Sequence, residues 1–135
     1  MAVLQWNCRG LRANYEEVQL LVSSFNPHVL CLQETFVKST DYLSFRGFVS
    51  YLSPASDTAA GGVAILIRDA PSSPVSLSTS LQAVAARVTL HRPLTICSLY
   101  IPPPGTRSLP RAQVVTFIIL CLHINFALIL FKVRK

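Results

Sequence analysis

A single strand-rich α/β domain over residues 1–104 is the fold class this sequence predicts, and two observations carry the prediction. The first 33 residues read strand, helix, strand at the spacing of a β-α-β unit. The residues that follow, up to Ile101, hold further apolar runs of strand length with turn-forming residues between them. Composition agrees: 135 residues, 51% hydrophobic and 13% charged, exclude a disordered tail and suit one domain.

Ala2–Trp6 is a short apolar run that ends at Asn7-Cys8-Arg9-Gly10, a strand leading into a loop. Asn14 and Glu17 have the spacing of a helix N-cap and its third-position acid. Val18, Leu21, Val22 and Phe25 then form an apolar stripe at helical spacing, which Asn26-Pro27 stops. Val29–Gln33 is a second strand, bounded by Pro27 and by Glu34-Thr35, and belongs beside the first. Phe45–Leu52 reads as a strand. Gly61-Gly62 opens Val63–Arg68, a run apolar enough to be buried on both faces. The glycine pair is a tight turn rather than a phosphate-cradling loop, because no Gly-Lys-Ser/Thr follows and no helix begins there. Val84, Ala86, Val88 and Leu90 alternate in strand fashion, His91-Arg92-Pro93 turns the chain, and Leu94–Ile101 returns as a strand. Pro102-Pro103-Pro104-Gly105 ends the domain, and residues 105–113 read as a linker.

The net charge of +6 is unevenly laid out. Residues 1–69 hold five cations (Arg9, Arg12, Lys38, Arg46, Arg68) and all six acids, whereas residues 70–135 hold seven cations and no acid. Such a balance suits an anionic partner, nucleic acid or an acidic membrane surface. Any chemistry that needs carboxylates must draw them from the first half. Cys8, Cys31, Cys97 and Cys121 lie far apart in apolar runs, without a Cys-x-x-Cys pair, and read as small buried hydrophobes rather than a zinc site or disulfide framework. The N-terminus has no basic segment before a long apolar one, and no Asn-x-Ser/Thr acceptor occurs, so the expected setting is intracellular, nuclear or cytoplasmic.

Asn7 and Glu34 are the sharpest functional signal. Each stands just past an apolar strand, and the two strands are expected neighbours, which brings an amide and a carboxylate to the carboxyl edge of the sheet. A hard cation such as Mg²⁺ takes oxygen ligands of this kind, with water and substrate phosphate. The alternative is a strand-end Asn in a turn and a Glu that caps the next segment. His28, between Pro27 and a strand, and His91, in a turn, have no partner carboxylate nearby in sequence and read as structural or solvent-facing.

Gln5-Trp6-Asn7-Cys8-Arg9-Gly10-Leu11, Asn26-Pro27-His28-Val29-Leu30-Cys31-Leu32-Gln33-Glu34-Thr35, Gly61-Gly62-Val63-Ala64-Ile65-Leu66-Ile67-Arg68 and Ser98-Leu99-Tyr100-Ile101-Pro102-Pro103 occur in that order. Together they resemble the endonuclease/exonuclease/phosphatase superfamily, in particular the apurinic-type endonuclease of jockey-like non-LTR retrotransposons. The resemblance implies a four-layer α/β sandwich, represented here by its N-terminal half, and metal-dependent cleavage of a DNA phosphodiester. It implies that Glu34 is a ligand of Mg²⁺ (or Mn²⁺), polarising the phosphate and stabilising the leaving oxygen. By the same resemblance Asn7 holds the metal or scissile phosphate, and Tyr100 hydrogen-bonds the phosphate. Arg9, in the loop after Asn7, is placed to touch the DNA backbone or else is a solvated surface cation. No small-molecule cofactor is implied.

The family pattern continues past the Tyr100 strand with a Gly-Asp-Phe-Asn-like segment, a further Asp and a Ser-Asp-His-like segment. This chain has no Asp or Glu after Asp69, and His123 has no Asp beside it. The residues that activate water and complete the metal set are therefore missing, and the expected state is inactive, with metal bound weakly if at all. A catalytically dead basic nucleic-acid-binding module and a membrane-attached remnant are the other two readings. Val114–Phe131 is an 18-residue apolar run that would cover about 27 Å as a helix, close to a bilayer core. It reads as a membrane segment, as a tail with no evolved role, or as a packed element of the core. Half a sandwich is also expected to fold poorly, because Val63–Arg68 and Leu94–Tyr100 would lose the layer that covers them.

Overall fold

The computed structural model describes residues 2–55, 61–100, 118–121 and 128–132. In chain order these form β1 (Ala2–Asn7), α1 (Tyr15–Phe25), β2 (Val29–Gln33), β3 (Val49–Ser53), β4 (Val63–Ile67), β5 (Ser72–Val75), β6 (Gln82–Thr89), β7 (Pro93–Tyr100), β8 (Ile118–Cys121) and β9 (Leu128–Lys132). One sheet has the order β3-β4-β2-β1-β9, and the other β5-β6-β7-β8. With α1 they make three layers of an α/β sandwich: helix, mixed sheet, antiparallel sheet.

The predicted β-α-β unit is present. β1 and β2 run parallel, with Val3 opposite Val29 and Asn7 opposite Gln33. Asn26 ends α1 in the left-handed conformation (φ 45°), its N–H donating to the Val22 carbonyl. The helix start differs from the expected cap: the Asn14 side chain makes no capping bond. Its Nδ2 donates instead to the carbonyls of Cys8 (2.8 Å) and Gly10 (3.2 Å), so it clamps the loop after β1. Val18 and Leu21 are buried, whereas Phe25, expected on the same stripe, is exposed at the last turn.

β1, β2 and β4 of the mixed sheet are buried on both faces. Leu4, Trp6, Leu30, Leu32, Ala64 and Leu66 face α1 and the segment leading into β3. Val3, Val29, Cys31, Ile65 and Ile67 face the second sheet, where they meet Ala86, Val88, Leu94 and Ile96. Each fully buried Leu or Ile is worth roughly 1.5–3 kcal/mol relative to exposure, and these two clusters hold the layers together. β4 is buried at all five positions and β7 at every second one. The expected bare face is corrected for β4, which the second sheet covers; β7 turns one side to the first sheet and leaves Thr95, Cys97 and Leu99 half-buried on the other.

β3 begins at Val49 rather than at Phe45, because Phe45 leaves the strand path to stack with Tyr15 (5.1 Å) and Phe48 (5.5 Å) over the helix-side core. β5, Ser72–Val75, escaped the sequence reading: it carries Pro74 and lies at a sheet edge, where a missing N–H is tolerated.

The largest correction concerns 114–131. Its described parts are strands, not a helix. β8 pairs antiparallel with β7, Ile96 opposite Leu120, and β9 pairs parallel with β1, Leu4 opposite Leu130. Among the described residues no helix is long and apolar enough to cross a membrane. The physical reason is that β1 and β7 would otherwise present open edges, and an apolar run rich in Leu and Ile satisfies them. The expected linker, 105–113, lies outside the described residues.

Candidate functional site

The site is built where β1, β2 and β7 end together. β1 delivers Asn7 and then the loop Cys8–Leu11; β2 delivers Glu34–Phe36. The loops are laced by backbone bonds: Cys8 N–H to the Gln33 carbonyl (3.0 Å), Gly10 N–H to Glu34 (2.7 Å) and Leu11 N–H to Thr35 (2.9 Å). From the other side the Gly61 and Gly62 carbonyls accept the N–H groups of Phe36 and Thr35, both at 3.1 Å. Gly61 and Gly62 have φ near +83°, and a Cβ on Gly62 would fall 2.6 Å from Thr35 Oγ1, so glycine is what permits this close approach. The pair leads directly into β4, and its carbonyls dock the Glu34 loop; residues 56–60 before it lie outside the described residues.

Two sheets meet at the site through a buried polar chain. Gln33 Nε2 donates to Ser98 Oγ at 2.8 Å, and Gln5 Nε2 lies 3.5 Å from Gln33 Oε1. Gln33 and Ser98 are completely buried. This bond ties the end of β2 to the end of β7, and so brings Glu34 of one sheet against Tyr100 of the other. The Cys8 thiol adds a third tie, donating to the carbonyls of Gln33 (3.4 Å) and Glu34 (3.6 Å).

All four residues singled out from sequence come together. Tyr100 hydrogen-bonds the Glu34 side chain, and burial, with the nearby Glu34 charge and that bond, raises its hydroxyl above the ordinary tyrosine range. Arg9 Nε stands 4.0 Å from Glu34 Oε2, with the arginine side chain 59% exposed and the glutamate 14%. The Arg9 N–H donates to Asn7 Oδ1 at 3.3 Å. Asn7 Nδ2 is buried and has no hydrogen-bond partner. The sequence reading missed Gln5, Gln33, Ser98, Cys8 and Asn14. The available signal was a glutamine in each of two otherwise apolar strands.

Chemically the site is one carboxylate ringed by donors. Asn7 Nδ2, the Arg9 guanidinium and the Tyr100 hydroxyl all suit an anionic oxygen. A divalent metal fits less well. Glu34 is the one carboxylate of the site among the described residues, it faces a cation and a hydroxyl donor, and Asn7 Oδ1 already accepts the Arg9 N–H. Among the described residues no group of three or more His, Cys, Asp or Glu could hold a metal. Glu34 alone would offer Mg²⁺ one carboxylate, the rest of the shell falling to water and phosphate. Neither described histidine is close. His28 precedes β2 and so lies about 20 Å from Glu34 at strand rise, and His91 precedes β7 at the far end from Tyr100. His28 N–H donates to the Ala2 carbonyl, and His91 is exposed, in keeping with structural and solvent-facing roles. Cys8 and Cys31 are buried and Cys97 half-buried, and none of the three is in a disulfide.

The sequence matches the endonuclease/exonuclease/phosphatase family over residues 4–122. It is 26% identical over 103 residues to an RNA-directed DNA polymerase from the mobile element jockey of Drosophila melanogaster, covering 73% of this chain and 11% of that protein. The fold is similar to the endonuclease domain of TRAS1, a telomere-specific non-LTR retrotransposon, with TM-score 0.61, 22% identity, and 76% of this chain and 46% of that one covered. It is also similar to a 3'-5' exonuclease from Neisseria meningitidis, with TM-score 0.50, 25% identity, and 64% and 37% covered. The chain therefore spans about a tenth of the curated relative and less than half of these solved domains.

Proposed function

The chain belongs to the endonuclease/exonuclease/phosphatase family, whose chemistry is nuclease-type hydrolysis, and on that premise we propose that its 135 residues bind the DNA backbone without cleaving it. The observation that carries this reading is the buried Asn7 Nδ2 without a partner. A buried donor left unsatisfied costs about 1–3 kcal/mol, and a phosphate oxygen is the acceptor that would relieve it. Arg9 supplies the cation beside it. Tyr100 and Arg9 screen the Glu34 carboxylate, which would otherwise repel a phosphate, and the Tyr100 hydroxyl can turn from Glu34 to the arriving oxygen. DNA as the ligand is favoured by the relatives: a retrotransposon endonuclease domain, and the Neisseria enzyme also described with a product DNA hairpin. An intracellular setting goes with this reading.

Hydrolysis is a different demand. An in-line attack needs an oriented water, a base to take its proton and stabilisation of developing charge. The described residues supply part of the third requirement. A missing general base alone lowers a rate by about 10²–10⁴-fold. Both described histidines sit at the wrong ends of their strands, and Glu34 is engaged by Arg9 and Tyr100.

The test is the salt dependence of duplex-DNA affinity. A phosphate-contacting chain loses affinity along a straight log–log line, and Arg9→Ala should flatten its slope by about 0.9. Absence of DNA binding at low salt, or an unchanged slope in Arg9→Ala, would contradict the reading.

A further inference from the structure

Five non-glycine residues of the described chain have positive φ: Arg9, Asn26, Glu34, Phe36 and Asp69. Asn26 and Asp69 are types that enter the left-handed region readily, whereas a bulky aromatic there is an outlier. The other three stand together on the two loops that carry the site, and such strain persists only where surrounding structure over-determines it. Here the determinants are on the page. Phe36 (φ 54°) is fixed by its N–H to the Gly61 carbonyl, and its neighbours Thr35 and Val37 are both buried. The Val37 carbonyl accepts from Ala55 at 2.8 Å. Two inward anchors thus force the residue between them outward, and Phe36 is 40% exposed. Its ring lies on the Gly10 backbone: a Cβ there would come within 3.2 Å of Phe36 Cδ2. Gly10 follows Arg9, and Phe36 lies two residues beyond Glu34, so the ring stands beside the same donors that suit a phosphate.

An isolated exposed phenylalanine needs no explanation. One held out at a backbone cost, over a glycine, next to a cation and an unsatisfied donor, does. We infer that Phe36 is a stacking platform for an unstacked base of a DNA strand whose phosphate is held by Asn7, Arg9 and Tyr100. The inference rests on the DNA-binding reading above and adds a base-contacting element to it. Every base has a π-face, so the platform gives affinity with little sequence preference.

Phe36→Trp in the full chain provides the readout. The native tryptophan, Trp6, is fully buried, so the new indole is the one that a ligand can quench. Short oligothymidylate should quench it on binding, and an equally long strand of abasic deoxyribose phosphate should not. Phe36→Ala should weaken oligothymidylate binding by about 5- to 150-fold, the range of one base–aromatic stack, while Phe36→Tyr keeps it. The melting temperature of Phe36→Ala, measured alongside, should not fall. Equal quenching by the abasic strand, or wild-type affinity in Phe36→Ala, would overturn the platform and leave the DNA reading intact. A wild-type chain that binds neither strand would overturn both.

Discussion

Cys8 and Cys31 are buried thiols whose pKa values burial pushes up from 9.0 to about 12. Tyr100 is raised by the same cause, aided by the Glu34 carboxylate. In the folded chain the two thiols keep protons that the unfolded chain begins to release near pH 9, so the native state binds more protons between about 9 and about 12. Stability contributed by the two thiols is therefore complete below about pH 9 and lost as pH climbs through that window. Thermal melts at successive pH values should show a falling midpoint there, and a Cys8→Ala, Cys31→Ala double variant should flatten the fall. A wild-type midpoint independent of pH over that range would contradict it. Burial of these cysteines was legible from their apolar runs. The bonds that Cys8 donates were not, because they depend on a loop from another strand. Asn7 and Glu34 were legible as strand-end polar residues. Asn14 was misread, since an asparagine before a helix has the same local sequence whether it caps the helix or clamps the preceding loop.

At the scale of elements, the join between the sheets at the site rests on Gln33 and Ser98. Ser98→Ala leaves a buried Gln33 donor unsatisfied and should cost about 1–3 kcal/mol in chemical denaturation. Adding Gln33→Leu removes the stranded donor, so the double variant should be less destabilised than the two single costs combined. The coupling in that cycle should fall at about 0.5–3 kcal/mol. Simple additivity would mean the bond does not hold β2 to β7. The β-α-β unit was readable because strand, helix and stop signals each had local chemistry behind them. β5 was hidden by Ser72-Ser73-Pro74-Val75, which has no apolar alternation. The 114–131 run defeated periodicity for another reason: a continuous apolar stretch fits a buried helix or buried strands equally, and only the open edges of β1 and β7 decide.

The whole molecule combines a mixed sheet whose central strands are buried on both faces with a net charge of +6, and it brings one amide, one arginine, one tyrosine and one carboxylate to a single edge. In the scaffold the second sheet covers β4. The site is different: Asn7, Arg9 and Tyr100, the donors that on our proposal hold a phosphodiester, stand at the strand ends, and both described histidines lie at the opposite ends. Binding without turnover is thus the central claim. It is tested most directly by incubating the purified 135-residue chain with supercoiled plasmid DNA in Mg²⁺, with retention of the plasmid and nicking followed on the same samples. The plasmid should be retained by the protein and remain supercoiled, at background level with or without Mg²⁺. Mg²⁺-dependent nicking that disappears in Glu34→Ala would contradict the account.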